Sequence, residues 1–296
     1  MLTDFTQHCA LVTGATSQIG RFLLPRLQAA DFTVIAISRQ PPSNPPAPGL
    51  IWQQADLHVP SSLPVFKPNL LFHLAPLPLL PPLLAHFSRE MPLKKIIAFS
   101  STSCFTKANS PEPKERSIAA QLTEAETRLI TECQARGIAW TLFRPTLIYG
   151  CGIDKNVTFI AKFIRRFGFF SLLGQGTGLR QPVHADDLAC ACVQACVSSR
   201  AVNKAYNLSG GQTLSYHNMV EAIFHALGKK PRIMSIPLPI FKLIARCMSW
   251  LPRYAHLSAM VARMNQDLCF DHATASDDFG YQPRTFSDND MGFERP

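Results

Sequence analysis

Apolar and polar positions near the start of the chain follow a pattern that predicts a strand, a helix and a second strand. Residues 9–12 are a short apolar run, CALV, and residues 19–30 repeat apolar positions at helical spacing. Residues 32–37, FTVIAI, are a β-branched run typical of a strand buried on both faces. With Gly14 in the first turn, these segments predict a βαβ unit.

Similar apolar runs recur as far as residue 208. We predict buried strands and helices, with the strands at 70–74, 95–99, 139–143 and 205–208 and the helices at 117–136 and 185–198. Gly137 suits the end of the first of these helices, and Asp186 and Asp187 suit the positive end of the second. The alternation predicts an α/β fold, a Rossmann-type doubly wound parallel sheet with helices on both faces.

The pattern changes after Gly150. We predict helices at 157–170, which is basic and aromatic, and at 214–227 and 240–251. They would form a smaller lobe at the carboxyl ends of the strands, where open α/β sheets bind ligands. The predicted division is a sheet domain of residues 1–150, to which 182–210 return, and a mostly helical substrate lobe of 151–181 and 211–296.

The most apolar stretch, residues 70–87, carries no charge and is long enough to suggest a membrane span. Four prolines interrupt it: Pro76, Pro78, Pro81 and Pro82. Because proline removes a backbone donor and collides with the preceding turn, we expect neither a membrane span nor any other helix there. Thirteen of the 24 prolines fall within 41–92, which predicts loops joined by short elements.

The composition excludes several classes of protein. The chain has 296 residues, 47% hydrophobic and 17% charged, and is too apolar for a disordered protein. The net charge is +9, but without a basic cluster or an aromatic stacking array we expect no nucleic-acid partner. Nine cysteines without a C-x-x-C pair predict neither a disulfide framework nor a metal site. The N-terminus lacks a signal-peptide pattern, so we expect a cytoplasmic location.

The first candidate site is the segment TGATSQIG at 13–20, between the first strand and the first helix. Gly14 permits a tight turn, Gly20 lets helix and strand pack closely, and the first amides of the helix can bind a pyrophosphate. Ser17 replaces the middle glycine of the usual fingerprint, and it would crowd the phosphates or donate a hydrogen bond to them. A tight turn that binds nothing is the alternative.

Arg39 follows the second predicted strand. A site that prefers NAD usually has a carboxylate here for the ribose hydroxyls, whereas a guanidinium suits the 2′-phosphate of NADP. Arg39 therefore favours NADP over NAD as the cofactor. An arginine in a solvated loop is the alternative.

Together these segments resemble the short-chain dehydrogenase/reductase superfamily, in particular its extended branch of nucleotide-sugar epimerases, dehydratases and reductases. TGATSQIG is similar to the TGxxGxxG turn, ADL at 55–57 to a GDL step beside adenine, and HLA at 73–75 to an HLAA strand end. SSTS at 100–103 resembles the strand end that supplies a catalytic hydroxyl. RPTLIYG at 144–150 resembles the motif RPxxxYG, and the segment 176–189 resembles G-R-x-x-x-H-V-x-D-x-A. The resemblance covers nearly the whole chain.

The resemblance implies roles for individual residues. Thr102 matches the catalytic hydroxyl beside the nicotinamide, Arg180 the arginine that holds the diphosphate of a nucleotide-sugar, and Asn156 an asparagine near that group. An ion pair of Arg180 with Asp186 or Asp187 is the alternative. The residues expected at the cofactor are Gly14, Thr16, Ser17, Gln18, Ile19, Gly20, Arg39, Asp56, Leu57, Leu74, Ala75, Ser100 and Pro145.

The sequence departs from the family at its Tyr-x-x-x-Lys pair, in which lysine lowers the tyrosine pKa for proton transfer. Counting back from Glu126, the matching residues are the aliphatic Ile118 and Leu122. No tyrosine lies between Thr102 and Trp140, so no small shift of the alignment restores the pair.

Tyr149, Lys107 or Glu112 could supply the missing acid or base, although a packed ring or a loop charge explains each of them better. Two hypotheses follow. One is an NAD(P)-dependent enzyme that acts on a nucleotide-sugar or similar anion, with Thr102 and Tyr149 as candidate catalytic residues. The other is a non-catalytic dinucleotide-binding accessory or interaction protein. Homodimers are common in the resembled family, and the helix at 119–136 is a candidate for such a contact.

Overall fold

The computed structural model describes residues 9–43, 47–64, 66–237, 264–286 and 291. The strands are β1 (Cys9–Thr13), β2 (Thr33–Ser38), β3 (Leu50–Gln54), β4 (Leu70–His73), β5 (Lys95–Phe99), β6 (Ala139–Pro145), β7 (Ile148–Tyr149), β8 (Phe170–Leu173), β9 (Leu179–Arg180), β10 (Val183–His184), β11 (Lys204–Leu208), β12 (Leu214–Ser215) and β13 (Ile233–Ile236). The α-helices are α1 (Gln18–Ala29), α2 (Leu80–His86), α3 (Ser103–Thr106), α4 (Pro113–Arg136), α5 (Val157–Phe167), α6 (Ala185–Val197), α7 (Tyr216–Ala226) and α8 (Ala273–Phe279). The helix predicted at 240–251 lies outside the described residues.

Seven parallel strands form the central sheet, in the order β11-β6-β5-β4-β1-β2-β3. β1 lies between β2 and β4, with Thr13 opposite both Ile37 and His73. The strand order therefore reverses at β1, and the carboxyl ends of the neighbouring strands leave a crevice of the kind in which open α/β sheets bind ligands. The predicted α/β fold with a doubly wound parallel sheet is confirmed.

Helices cover both faces of this sheet. α1 and α6 pack together on one face, where Leu23 and Leu188 belong to the buried core. α2 and α4 cover the other face, where Leu83 and Leu129 are buried. Burying one such leucine contributes about 1.5–3 kcal/mol, so both layers hold the strands whose ends carry the candidate site.

The apolar stretch 70–87 contains β4 and α2, so the expectation that its prolines exclude a helix is wrong. Pro81 and Pro82 occupy the first turn of α2, where the backbone N–H has no partner within the helix and the fixed φ of proline suits the helix start. β3 also lies in the proline-rich region, as an edge strand. Within the described residues, no helix is both long and apolar enough to cross a membrane.

α5 and α7 form the core of a smaller region together with β8 and β13. The predicted helix 157–170 is shorter than expected, because Gly168 adopts a left-handed φ of +76° and ends α5. The predicted helix 214–227 starts later than expected, because Ser215 is the N-cap of α7. The residues before α7 instead form β12, which pairs with β9.

The described C-terminal segment, 264–286, returns to the large sheet. Asp278 of α8 is buried and accepts hydrogen bonds from the Tyr206 hydroxyl and from Lys204 Nζ, both at 2.7 Å. These bonds hold α8 against β11, the edge strand of the sheet. The structure therefore places part of the predicted lobe segment 211–296 beside the sheet.

Candidate functional site

Two cavities open at the carboxyl ends of the central strands. The first, of about 980 Å³, is lined by the turn after β1 and by residues that follow β2, β3 and β4. The second, of about 1050 Å³, is lined by residues that follow β5 and β6, by α5 and by β9. Both volumes match the larger small-molecule sites, which span about 300–1,000 Å³.

The turn after β1 requires glycine at two positions. Gly14 has a φ of +68°, and a Cβ on it would lie 2.7 Å from the Ala75 backbone nitrogen. A Cβ on Gly20 would lie 2.1 Å from the Ala15 carbonyl oxygen. Gly14 therefore lets the turn approach the end of β4, and Gly20 lets α1 begin directly against the turn.

Ser17 is the N-cap of α1. Its backbone is extended, and Oγ accepts a hydrogen bond from the Gly20 amide at 3.2 Å. This bond satisfies one of the four amides that have no partner inside the helix. The hydroxyl thus stabilises the helix start, a role that the sequence analysis did not consider. The positive end of the helix dipole lies at the first cavity, where it suits an anion.

His73 holds the ends of β1 and β4 together. The side chain is fully buried, and burial lowers the pKa of His73 to about 4, so the ring is neutral at pH 7. Since a carbonyl oxygen only accepts, Nε2 donates to the Pro76 carbonyl at 3.2 Å, and Nδ1 accepts from the Thr13 hydroxyl at 2.8 Å. The two bonds position Leu74 and Ala75, which line the first cavity.

Arg39 and Asp56 both line the first cavity. Hydrogen bonds from the His58 amide and then from its ring lower the pKa of the Asp56 carboxyl, and the charge of Arg39 lowers it further. Asp56 is therefore an anion beside a cation at neutral pH. The predicted residues Thr16 and Leu57 line this cavity too, together with Ser38, Gln40 and His58, for which the sequence analysis assigned no role.

α4 reaches the first cavity through Gln121, which the sequence analysis did not single out. Its Nε2 donates to Ser117 Oγ at 3.1 Å, one turn earlier. Ile118 is 44% exposed, and Leu122 packs against the buried core. Gln121 directly precedes Leu122, the residue at the expected lysine position, and this neighbouring polar residue was the sequence signal that could have identified it.

Arg180 is a buried cation on the wall of the second cavity, with 5% of its surface exposed. Its Nη1 donates to the carbonyls of Leu179 and Gln266, at 2.6 and 2.8 Å, which orients the guanidinium plane. The guanidinium carbon lies 5.5 Å from the centre of the Tyr216 ring, within the range of a cation–π interaction. Burial raises the pKa of Tyr216, and Arg180 opposes that effect.

Asp186 and Asp187, the alternative partners for Arg180, bind other arginines. Arg284 donates from Nη2 to Asp186 and from Nε to Asp187, at 2.7 and 2.8 Å, and Arg26 pairs with Asp186. Burial raises the pKa of Asp186, but the hydrogen bonds from Arg284 and Arg26 outweigh it and leave that pKa lowered. This network joins α1, α6 and the C-terminal segment.

Three further predicted residues line the second cavity, namely Gln18, Thr102 and Asn156. Thr102 donates from its amide and its hydroxyl to the Pro145 carbonyl, at 3.2 and 3.1 Å, so the hydroxyl binds the end of β6. Gln18 was expected at the cofactor but lies on this second cavity. Its Oε1 is buried and accepts no hydrogen bond from the part of the chain that the structure describes.

The remaining predicted residues line neither of the two cavities: Ile19, Gly20, Ser100, Pro145 and Tyr149. Tyr149 is fully buried, and its ring packs edge-on against His184 and Phe286, with centroid distances of 5.1 and 4.8 Å. Of the other two acid or base candidates, Lys107 lines the second cavity and Glu112 does not. The structure thus brings Thr102, and not Tyr149, to the cavity that contains Arg180.

Comparison with known proteins places these features in a family. The sequence profile of the NAD dependent epimerase/dehydratase family matches residues 10–78 and 80–209. A 151-residue segment, 51% of this chain, is 27% identical to mitochondrial NADH dehydrogenase (ubiquinone) 1 alpha subcomplex subunit 9 of Arabidopsis thaliana and covers 36% of that protein. Matched segments span between 35% and 53% of the lengths of the curated relatives.

Solved structures with the same architecture are also found. UDP-glucose 4-epimerase with UDP-glucose from Thermotoga maritima superposes with a TM-score of 0.72, at 17% identity and 96% coverage of both chains. UDP-glucuronic acid 4-epimerase from Bacillus cereus, in complex with UDP-glucuronic acid and NAD, gives a TM-score of 0.72 at 15% identity and the same coverage. At such identities the likeness shows the fold.

Proposed function

This chain belongs to the NAD dependent epimerase/dehydratase family, and from that premise we propose that it binds NADP in the first cavity and acts on a nucleotide-sugar or similar anion in the second. The proposed reaction is hydride transfer between the two ligands. The observation that carries the proposal is Arg180, a buried cation on the wall of the second cavity. Gln18, from the glycine-bearing segment 13–20 at the end of β1, lines the same cavity.

The residues of the first cavity fit a nicotinamide dinucleotide. A side chain at Gly14 would collide with the end of β4, so the turn offers backbone at close range. The first amides of α1 would hold the pyrophosphate, and Asp56 and Leu57 would contact the adenine side. When bound, this cofactor supplies the hydride chemistry.

Arg39 supports NADP over NAD within this proposal. It lies directly after β2 and lines the cavity, where a guanidinium can form paired hydrogen bonds with a 2′-phosphate. The carboxylate nearby, Asp56, follows β3 and is engaged by His58. Exchange of Arg39 for aspartate should move the preference toward NAD, measured as the ratio of the two dissociation constants by titration calorimetry.

The second cavity suits an anionic substrate. Two backbone carbonyls fix one nitrogen of the Arg180 guanidinium, so its plane is set before a diphosphate binds. Lys107 and Lys155 line the same cavity together with the carboxylate of Asp154, so with Arg180 the lining is net positive and attracts anions from solution. Gln18 presents a buried acceptor, Oε1, which a hydroxyl group of the ligand would satisfy.

Proton transfer is the unassigned step. Thr102 donates its hydroxyl to Pro145, while Ile118 and Leu122 carry no ionisable group. These observations favour a second candidate function, a dinucleotide-binding accessory protein without turnover. One relative carries the name of an NADH dehydrogenase subunit, which agrees with such a role.

The two candidates are separated by identifying the bound nucleotide and by assaying turnover. Heat release and mass spectrometry of the purified protein identify the nucleotide. A panel of UDP- and dTDP-sugars with NADP or NAD is followed at 340 nm and by sugar analysis, because epimerisation leaves no net change in absorbance. Turnover that Arg180→Ala removes supports the enzyme. Dinucleotide binding without turnover supports the accessory protein, and binding of neither dinucleotide contradicts both.

A homodimer and a cytoplasmic location complete the proposal. The middle of α4 presents polar residues outward, including Glu124 and Arg128, which form an exposed ion pair. Light scattering after size exclusion measures the mass in solution, and cell fractionation measures the location. A monomer at micromolar concentration, or recovery outside the cytoplasmic fraction, contradicts the respective part of the proposal.

A further inference from the structure

Helix α5 turns an aromatic and basic face outward. Phe159, Phe163 and Phe167 follow one another at intervals of four residues, and Lys162 and Arg166 lie beside them. At about 100° per residue, these five side chains fall within an arc of about 140° on the helix surface. Phe159 is 59% exposed and Phe167 is 51% exposed. Phe163 between them is half-buried and packs against the core of the smaller region, as the opposite side of α5 does.

The phenylalanine rings of this face form a packed cluster. The centre of the Phe163 ring lies 4.6 Å from that of Phe167 and 5.8 Å from that of Phe169. The guanidinium of Arg166 lies 5.6 Å from the centre of the Phe167 ring. The cluster therefore presents an apolar patch with a cation held directly on it.

A second basic segment joins the end of α5. The Phe170 amide donates to the Arg232 carbonyl at 3.0 Å, which brings residues 229–232, KKPR, beside the aromatic cluster. All four of these residues are exposed, and the sequence has no Asp or Glu within 155–171 or 222–236. This basic cluster is not evident in the sequence, because the fold assembles it from two separate segments.

We propose that this surface, formed by Phe159, Phe163, Arg166, Phe167 and residues 229–232, docks on an anionic lipid bilayer. Aromatic rings insert at the boundary of headgroups and acyl chains, while Lys and Arg beside them bind the anionic headgroups. The lysines argue against a protein partner, because protein interfaces are depleted of lysine at their cores. The packed rings argue against nucleic acid, which is held by aromatic side chains on which separate bases stack.

The test uses the full chain and sedimentation with vesicles of phosphatidylcholine, alone or mixed with phosphatidylglycerol. We expect binding to the mixed vesicles that weakens as salt is added, and little binding to phosphatidylcholine alone. Lys230→Glu with Arg232→Glu should weaken binding about tenfold or more. Phe167→Ser should weaken it about fivefold and leave the salt dependence in place.

A matched control reverses two charges elsewhere. Lys67 and Arg89 are exposed shortly before β4 and shortly after α2, outside both α4 and this surface, and the double variant Lys67→Glu with Arg89→Glu has the same net charge as the test variant. It should bind mixed vesicles within about twofold of the parent chain if the surface, and not net charge, determines binding. Circular dichroism checks that each variant is folded.

Three results would overturn the proposal. The first is equal binding to both kinds of vesicle, the second is equal loss of binding in the control and test variants, and the third is retention by duplex DNA or an acidic protein without vesicle binding. Because no dinucleotide or substrate is needed for sedimentation, the outcome is independent of the proposed reaction.

Discussion

The two cavities are built from different parts of the chain. The first takes its shape from the backbone, through the left-handed turn at Gly14 and the joined ends of β1 and β4. The charge of the second cavity comes from side chains, chiefly Arg180, whose guanidinium is oriented by the carbonyl of Gln266, a residue far away along the chain. Backbone shape is marked by residue types with strong conformational preferences, whereas a side-chain site depends on partners far along the chain. The first cavity is therefore the more predictable of the two.

The largest effect should come from placing a side chain at the first turn. Gly14→Ala adds a Cβ 2.7 Å from the Ala75 nitrogen at a φ of +68°, so we expect a loss of about 3 kcal/mol or more in the free energy of unfolding. Dinucleotide binding should disappear with the turn. Urea unfolding and titration calorimetry measure the two quantities.

Gly137→Ala is the matched control for this variant. Gly137 has nearly the same φ, +66°, but no heavy atom lies within 4 Å of the position a Cβ would take. The free energy of unfolding should therefore fall by only about 1–2 kcal/mol, the strain of an alanine in the left-handed region. If both variants lose the same stability, the close approach of the turn to β4 is not what requires glycine.

The buried histidine between the strands should make stability depend on pH. The unfolded chain protonates a histidine below about pH 6.5, whereas native His73 stays neutral down to about pH 4. Between these values the unfolded state binds the extra proton, so the free energy of unfolding falls as pH falls, by about 3 kcal/mol in total. His73→Gln removes this contribution, and urea titrations from pH 7 to 4 compare the two chains.

The exposed His225 provides the comparison. His225→Gln should retain the pH dependence of the parent chain, because it leaves the Thr13 and Pro76 contacts of His73 intact. An unchanged slope in His73→Gln would mean that the ring is not held neutral between the strands.

A side-chain variant should affect the second cavity alone. Arg180→Ala should weaken binding of a UDP-sugar about 10- to 100-fold, since a charge-assisted bond to phosphate is worth about 1.5–3 kcal/mol. Dinucleotide affinity should stay the same. Arg39→Ala is the reciprocal variant and should weaken NADP binding without affecting the UDP-sugar. Loss of both ligands in either variant would show that the cavities are not separate sites.

The smallest effect concerns the serine that caps α1. Ser17→Ala should lower the free energy of unfolding by about 1 kcal/mol, and Ser17→Gly by a few tenths. Ser17→Gly should also bind dinucleotide more tightly, because the hydroxyl no longer holds the Gly20 amide. Ser215→Ala removes the equivalent cap of α7 and should cost the same stability without changing dinucleotide affinity. Weaker dinucleotide binding by Ser17→Gly would instead indicate a direct bond from the hydroxyl to phosphate.

Much of the sheet and the first cavity could be predicted from local sequence. Strands β1, β2, β4, β5, β6 and β11 are β-branched or apolar runs of the expected length. Besides Gly14 and Ala75, six predicted cofactor residues line one cavity, the last three of them implied by the family resemblance: Thr16, Ser17, Arg39, Asp56, Leu57 and Leu74. β3 was missed because its exposed edge position lacks a continuous apolar run. α2 was missed because proline at the start of a helix has the opposite effect from proline inside one.

The second cavity could be predicted only in part. The position of Arg180 followed from a motif, but its carbonyl partners and Tyr216 come from segments that no local pattern connects to it. Tyr149 belongs to a motif as well, yet the packing of His184 and Phe286 around it places the ring in a core. Residues of one motif therefore reach different surroundings once distant segments pack against them.

Phe159 and Phe163 line the second cavity and also belong to the outward face of α5. A mutation at either position therefore changes both the lining of the second cavity and the proposed membrane-docking surface. To change the ligand specificity of the second cavity, Ile160 or Leu173 should be substituted first. Both side chains line the cavity and are buried, so such a substitution changes the cavity wall without altering the outward face of α5.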